Sequence, residues 1–287
     1  RRALPEGRAR RRARRRRDDR RSRDRRRVDH YDRRSAWMGA DGRPVGQSCA
    51  EQISEEINMP IVDIVTTEVI RNGVIAAAQE MGTTLVRTAY NPLLYDVQDF
   101  GLAIVSPHGQ TWAEAPGMTV FVGALPHTVK SGVSVYGIDG FANGDVIIAN
   151  DPYTTGNHIS DVSIYAPIFF EGNLLAFAAS VAHWADIGGK TPGGWCPDSV
   201  DVYQEGICYR HEKLVAGGDR VEALWSVIRG NTRYPDIVTG DLQAQIASCR
   251  QGAERLQTLC KKYSFETVRK AMAQAIESTE KDTRRRI

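Results

Sequence analysis

Two histidines and an aspartate stand out for the chemistry they could do together. His158 and Asp161 close a polar loop, Asn150 to Asp161, that leads directly into an apolar stretch, and His183 ends a second one in Ala182 His183 Trp184 Ala185 Asp186 Ile187 Gly188 Gly189. The two stretches, Ile164 to Phe170 and Leu174 to Val181, flank Glu171, Gly172 and Asn173, the pattern of a β-hairpin with a three-residue connection. Antiparallel geometry returns the end of the second strand beside the start of the first, so His158, Asp161 and His183 are expected to converge. Two imidazoles and a carboxylate suit a divalent ion such as Zn²⁺, Mn²⁺ or Fe²⁺. Asp186 would be a fourth ligand or an outer partner with a catalytic role, and water or substrate would take the open position. The alternative is that each histidine is a hydrogen-bonded structural residue, and the residue pattern alone leaves both readings open.

Glu205 follows a loop rich in Pro and Gly (Pro192, Gly193, Gly194, Pro197) that could fold over the site. It is a candidate acid or base, and an exposed turn carboxylate is its plainer reading. Asp96 and Asp99, just before an apolar run from Phe100, are similar candidates of second rank. Gly188 Gly189 Lys190 Thr191 resembles the end of a phosphate-binding loop, but the register fails because Trp184 stands where glycine is required. No GxGxxG and no GxSxG occurs, so neither dinucleotide binding nor an elbow serine finds support.

The elements that must position these residues are legible as periodicities. Ile70, Val74, Ala77, Met81 and Leu85 recur at spacings of three and four between Asp63 and Arg87, the signature of an amphipathic helix. Phe100 to Val105 and Val146 to Ala149 read as short buried strands. Helical spacing returns in Val221, Leu224 and Ile228, in Leu242, Ile246, Cys249, Ala253 and Leu256, and in Phe265, Val268, Met272 and Ile276 after a break at Tyr263 and Ser264. The expected fold is α+β: a mixed sheet whose β-hairpin carries the site, with amphipathic helices before and after it.

Composition narrows the function further. The 287 residues, 41% of them hydrophobic, allow one large domain or two ordinary ones. The net charge of +3 hides an asymmetry: residues 1–34 hold 18 Arg and 6 acids, a local +12, which leaves the remainder at −9. That acidic remainder does not favour nucleic acid. Residues 1–58 read as a disordered Arg-rich tail, with Met38 or Met59 as alternative starts, and residues 59–287 as the folded part. The five cysteines show no CxxC spacing, so neither a disulfide framework nor a thiolate zinc site is indicated and a reducing cytoplasm fits best. The most apolar stretch, Ser163 to Ala182, is broken by Pro167, Glu171, Gly172 and Asn173, which excludes a spanning helix of roughly 20 residues.

Several ordered motifs together resemble the hydantoinase B/oxoprolinase family: Asn150 Asp151 Pro152 Tyr153 with Gly156 and HxxD at 158–161, then Ala182 His183 with Asp186, then Tyr203 Gln204 Glu205 Gly206. Asp99 Phe100 and Gly123 Ala124 Leu125 Pro126 His127 Thr128 Val129 extend the likeness over about residues 60–287. The resemblance implies the B-type subunit of an ATP-dependent enzyme that opens hydantoin or 5-oxoproline rings. A hydantoinase A-type partner would bind the ATP and phosphorylate the substrate. It equally implies an acetone carboxylase-like α subunit that carboxylates a ketone, in which the HxxD and later His, here His158, Asp161 and His183, hold a metal. Family chains are longer, so the chain is expected to be a C-terminally truncated part of a larger fold, with an inactive docking scaffold as a third reading.

Overall fold

Among the described residues, seven strands and seven α-helices turn these periodicities into layers. A computed structural model describes residues 61–155 and 158–287, all within a unit running from Gln52 to Ile287. The Arg-rich tail and its boundary at residue 58 lie outside the described residues. In chain order the helices are α1 (Ile64–Thr88), α2 (Pro92–Tyr95), α3 (Thr119–Tyr136), α4 (Pro152–Thr155), α5 (Glu222–Gly230), α6 (Pro235–Tyr263) and α7 (Phe265–Arg286). The strands are β1 (Phe100–Val105), β2 (Thr111–Glu114), β3 (Val146–Ala149), β4 (Asp161–Phe170), β5 (Asn173–His183), β6 (Arg210–Ala216) and β7 (Asp219–Arg220). They form one sheet in the order β2-β1-β5-β4-β3-β6-β7.

The α+β class expected from the sequence is therefore the one observed, with the sheet antiparallel at each of its pairings. Both edge strands are short, which limits the unpaired backbone that could recruit another chain. Side-chain alternation splits the core into two layers. Leu102, Ile104, Ile148, Val162, Ile164 and Ala178 face α1, α6 and α7, whereas Ala103, Val105, Ile147, Tyr165, Phe177 and Val181 face α3. The five residues that predict α1 are all at most 1% exposed. Its start is capped by Asp63, whose carboxylate accepts from the Thr66 amide at 3.0 Å.

The β4–β5 hairpin is longer than its apolar runs and its connection is tighter than expected. Phe170 pairs with Asn173, so only Glu171 and Gly172 form the loop. Both have positive φ, 49° and 83°, the conformation that two-residue hairpin loops require to match strand twist. The register slips by one between Ile168 and Phe169, which leaves Leu175 as the extra residue of a bulge on β5.

Helix α3 is the largest element that periodicity does not reveal, because Gly123, Pro126 and Gly132 interrupt it. Gly132 is there for close approach: a Cβ would lie 1.9 Å from the Tyr165 hydroxyl. That hydroxyl bonds His211 Nδ1 at 3.0 Å, and His211 Nε2 meets Ser131 Oγ at 3.0 Å. The backbone carbonyl of His211 accepts from the Tyr136 hydroxyl. His211 holds this position at φ 70°, unusual for a non-glycine residue in a strand.

Burial at 3% exposure pulls the His211 imidazole down to about 4. The native state favours the neutral ring, so the unfolded chain binds more protons between that value and about 6.5. Stability is fully present above that window and is lost as pH falls through it. The His211 ring should contribute about 2 kcal/mol less to the stability seen in urea unfolding at pH 5 than at pH 7. His211→Asn, which tolerates positive φ, should remove most of this difference; an unchanged pH dependence in the variant would refute the assignment.

Candidate metal centre

The site begins where β3 ends. Asn150 is fully buried, and its side chain ties three backbone segments together: Nδ2 donates to the carbonyls of Ile159 (2.6 Å) and Ile207 (2.9 Å), and Oδ1 accepts from the Tyr209 amide (2.6 Å). Asp151 then caps the single turn α4, accepting from the Tyr153 amide at 3.0 Å and pairing with Arg210 Nε at 3.0 Å. These ties fix the loop that delivers His158 to the first residue of β4.

Asp161 and His183 are direct cross-strand partners, so their side chains leave the same face of the sheet at its α3 side. Asp161 Oδ1 lies 2.8 Å from His183 Nδ1. Asp161 Oδ2 accepts from the His158 amide at 2.9 Å and lies 3.2 Å from His158 Nδ1. The Asp161 carboxylate is completely buried, the His183 side chain is 23% exposed and that of His158 is 76% exposed. One donor atom from each of the three lies within 4.8 Å of the others. Among the described residues this is where His, Cys, Asp or Glu side chains converge in the manner of a metal-binding group. The bond to Asp161, opposed by burial, raises the His183 imidazole above its ordinary value. Two imidazoles around an anionic, buried oxygen pair fit a divalent ion of the kind bound by mixed N/O donors.

Asp99, a second-rank candidate in the sequence, belongs to this group electrostatically. Its carbonyl accepts from the His183 amide at 3.1 Å. Its carboxyl is raised by burial, with His183 and His158 acting against that and Asp161 adding to it. Asp96 instead caps the end of α2, exposed to solvent.

Asp186 is spent elsewhere. Burial alone would raise its carboxyl, but Arg233 and Thr232 outweigh it and hold it below the usual range. Oδ1 accepts from Arg233 Nη1 at 2.7 Å, and Oδ2 from the Arg233 amide at 2.7 Å and Thr232 Oγ1 at 3.1 Å. A carboxylate with both oxygens committed to Arg233 is a fastener, so the structure gives Asp186 a place beside the loop rather than among the metal donors. Glu205 stands at the stem of the same loop, half-buried, with its carbonyl so close to Gly189 that a Cβ there would lie 2.4 Å away. It does not join the cluster.

Several residues that serve the site escape sequence reasoning. Arg233 also donates through Nη2 to the Gly189 carbonyl at 2.6 Å, closing the loop stem from just before α6. Gln245, fully buried on α6, accepts from Trp184 Nε1 at 2.9 Å and donates to the Val162 carbonyl at 3.0 Å, so it holds the residues that follow Asp161 and His183. Asp241 accepts from the amides of Tyr90 and Asn91 at 2.8 and 3.1 Å. A buried Gln or Asp within a long helix is the one available signal, since an interior polar side chain requires a partner. A cavity of about 600 Å³ lies at the other end of the hairpin, beside Phe169, Asn173 and Leu174, away from these donors.

An antiparallel sheet with helices on both faces is a fold shared with known enzymes. The hydantoinase B/oxoprolinase family model matches residues 63–287, and the chain belongs to that family. A relative from Pseudomonas sp. (strain NS671), named as the B component of a putative D-/L-hydantoinase, is 34% identical over 224 residues, covering 77% of this chain and 38% of the relative. The crystal structure of ATP-dependent caprolactamase from Pseudomonas jessenii superposes with TM-score 0.69 and 30% identity, over 75% of this chain and 37% of that one. The nucleotide-free structure of acetone carboxylase, at TM-score 0.69 but 19% identity over 74% of this chain and 28% of that one, shares the fold. The chain spans about two fifths of the length of the first curated relatives it matches and under a fifth of the 5-oxoprolinases among them. Among the described residues no helix is long and apolar enough to cross a membrane.

The Asp186–Arg233 fastening predicts its own measurement. Arg233→Ala leaves a fully buried carboxylate without its countercharge and should cost about 3 kcal/mol in urea unfolding. Proteolytic nicking within residues 190–204 should accelerate in parallel; unchanged stability and nicking would show that the clamp is ornamental.

Proposed function

We propose that this chain carries the metal centre of a B-type subunit of an ATP-dependent cyclic amide hydrolase that opens hydantoin or 5-oxoproline-type rings in the cytoplasm. The observation that carries the reading is the Asp161 carboxylate, buried at the mouth of the hairpin with an imidazole against each oxygen. His158, Asp161 and His183 would hold the ion, and Asp99 is the additional carboxylate within their electrostatic reach. A bound Zn²⁺, Mn²⁺ or Fe²⁺ would supply Lewis acidity toward a carbonyl or phosphoryl oxygen and activate water at neutral pH.

The chain's own residues do the positioning. Asp161 fixes the orientation of both imidazoles, and the Asn150 ties keep the His158 loop in register with the strand. The loop from Gly188 to Gly206 stands beside the mouth, with Gly194 against Ser160. ATP would be bound by a hydantoinase A-type partner, in keeping with relatives whose names make each of them the B or beta component of an enzyme. The carboxylase reading draws on a likeness of fold alone, whereas the likeness to the caprolactamase extends to sequence.

Metal analysis of the purified full chain should find about one divalent ion per molecule. His158→Ala, Asp161→Asn and His183→Ala should each weaken its retention by at least about tenfold, and Asp99→Asn by less. Equal, negligible metal in all samples would sink the reading and leave a docking scaffold in its place.

A further inference from the structure

Two asparagines in the chain are followed by glycine, in the pairs Asn72–Gly73 and Asn143–Gly144. The pairing matters because a main-chain nitrogen can attack the carboxamide carbon of the residue before it, and glycine, without a Cβ, hinders that approach least. What holds the two groups decides whether the attack occurs, and the fold holds the two pairs differently.

Asn72 lies within α1. Its Nδ2 donates to the Glu68 carbonyl at 2.8 Å, and Gly73 is an interior residue of the same helix, where the amide belongs to the helical ladder. Ring closure at Asn72 therefore requires the helix to open first. Asn143 and Gly144 are instead the exposed central residues of a turn, closed by the Asp145 amide donating to the Ala142 carbonyl at 3.1 Å. Gly144 has φ 88°, the left-handed value that favours glycine at the second central position. Among the described residues neither the Gly144 amide nor the Asn143 carboxamide has a hydrogen-bond partner. Both residues line a cleft of about 210 Å³.

We propose that Asn143 is a site of spontaneous covalent modification, at which the chain closes to a succinimide and then opens to aspartate and isoaspartate. The Gly144 nitrogen bonds to Asn143 Cγ, the Cγ–Nδ2 bond breaks, and the carboxamide nitrogen leaves as ammonia with the proton that the amide gave up. Water then opens the ring. Addition at Cγ yields aspartate, and addition at the main-chain carbonyl carbon yields isoaspartate, whose backbone runs through the side-chain carbon.

The isoaspartyl form carries one extra carbon in a turn that has no slack. A Cβ on Gly144 would already lie 2.9 Å from the Gly218 nitrogen. The next residue, Asp145, is 1% exposed and pinned on both oxygens: Oδ1 accepts from the Gly217 amide at 2.7 Å, and Oδ2 accepts from the Ala142 amide at 2.8 Å and pairs with Lys213 Nζ at 2.7 Å. Isoaspartate therefore loosens the entrance of β3, whereas aspartate leaves the backbone as it was.

The test incubates the full chain at mildly alkaline pH and follows it by peptide mass mapping and by isoaspartyl methyltransferase labelling. Conversion at Asn143 should run at least about tenfold faster than at Asn72, which the helix protects. The methyl label should grow in wild type and stay at background in Asn143→Ser. The isoaspartyl fraction should unfold at lower urea than fresh protein, and Asn143→Asp, which adds the charge without the extra backbone carbon, should unfold with the fresh protein. Comparable conversion at both asparagines, none at Asn143, or undiminished label in Asn143→Ser overturns the site. An isoaspartyl fraction as stable as fresh protein overturns its structural consequence.

Discussion

A carboxylate taken fully out of water has to be compensated, and the centre is organised around that one requirement. Asp161 loses its hydration at the start of β4, where an ionised group left alone would cost several kcal/mol. The compensation comes from a backbone amide and two imidazoles, and they arrive by two routes. The His158 amide and ring come from a loop folded back over three residues, and the His183 ring comes from across the hairpin. Because neither route is local to a regular strand, the fold must hold both the loop and the partner strand to within hydrogen-bond tolerance.

Helix α6 supplies much of that hold from the face opposite the site. Gln245 binds Trp184 and the Val162 carbonyl, the neighbours of the two central residues, and Ser248 reaches the Met81 carbonyl of α1 at 2.8 Å. Just before its start Arg233 clamps Asp186, and further along Asp241 gathers the Tyr90 and Asn91 amides. A single rigid helix therefore references the hairpin, the loop beside it and the approach to Asp99 to one another. Polar contacts of this kind in a core add specificity of arrangement, since each is satisfied in one register only.

The parts that can be read from sequence are those that follow a period or a fixed offset. The faces of α1, α6 and α7, the strands β1, β3, β4 and β5, and the convergence of HxxD with His183 all follow from spacing of 3.6, alternation or hairpin geometry. Where spacing carries no information, the reading stops. Helix α3 hides behind Gly132, which admits the Tyr165 ring, and β6 hides behind the left-handed His211. Asp186, three residues beyond His183, reads as a fourth ligand or an outer partner, yet the Arg233 that engages it comes from 47 residues on. Long-range pairing of that kind leaves no local trace. Glu205 is marked by its motif, and its backbone proves to be what the fold uses.

The bulge at Leu175 has a meaning beyond the shape of the strand. Leu175 and Ala176 both turn toward the same core layer, so two successive residues of β5 share one place in the alternation. From Asp161 to Ile168 each residue of β4 then faces the partner that leaves His183 opposite Asp161. Were Leu175 drawn into the ladder opposite Ile168, the continued register would set Ala182 against Asp161, and the His183 imidazole would emerge on the far side of the sheet. A kink about 25 Å from the centre, at the rise of an extended strand, thus works as a spacer that takes up one surplus residue and so times the arrival of the imidazole. The hairpin can vary the side chains along much of its length, but the place where it hides its extra residue is not free.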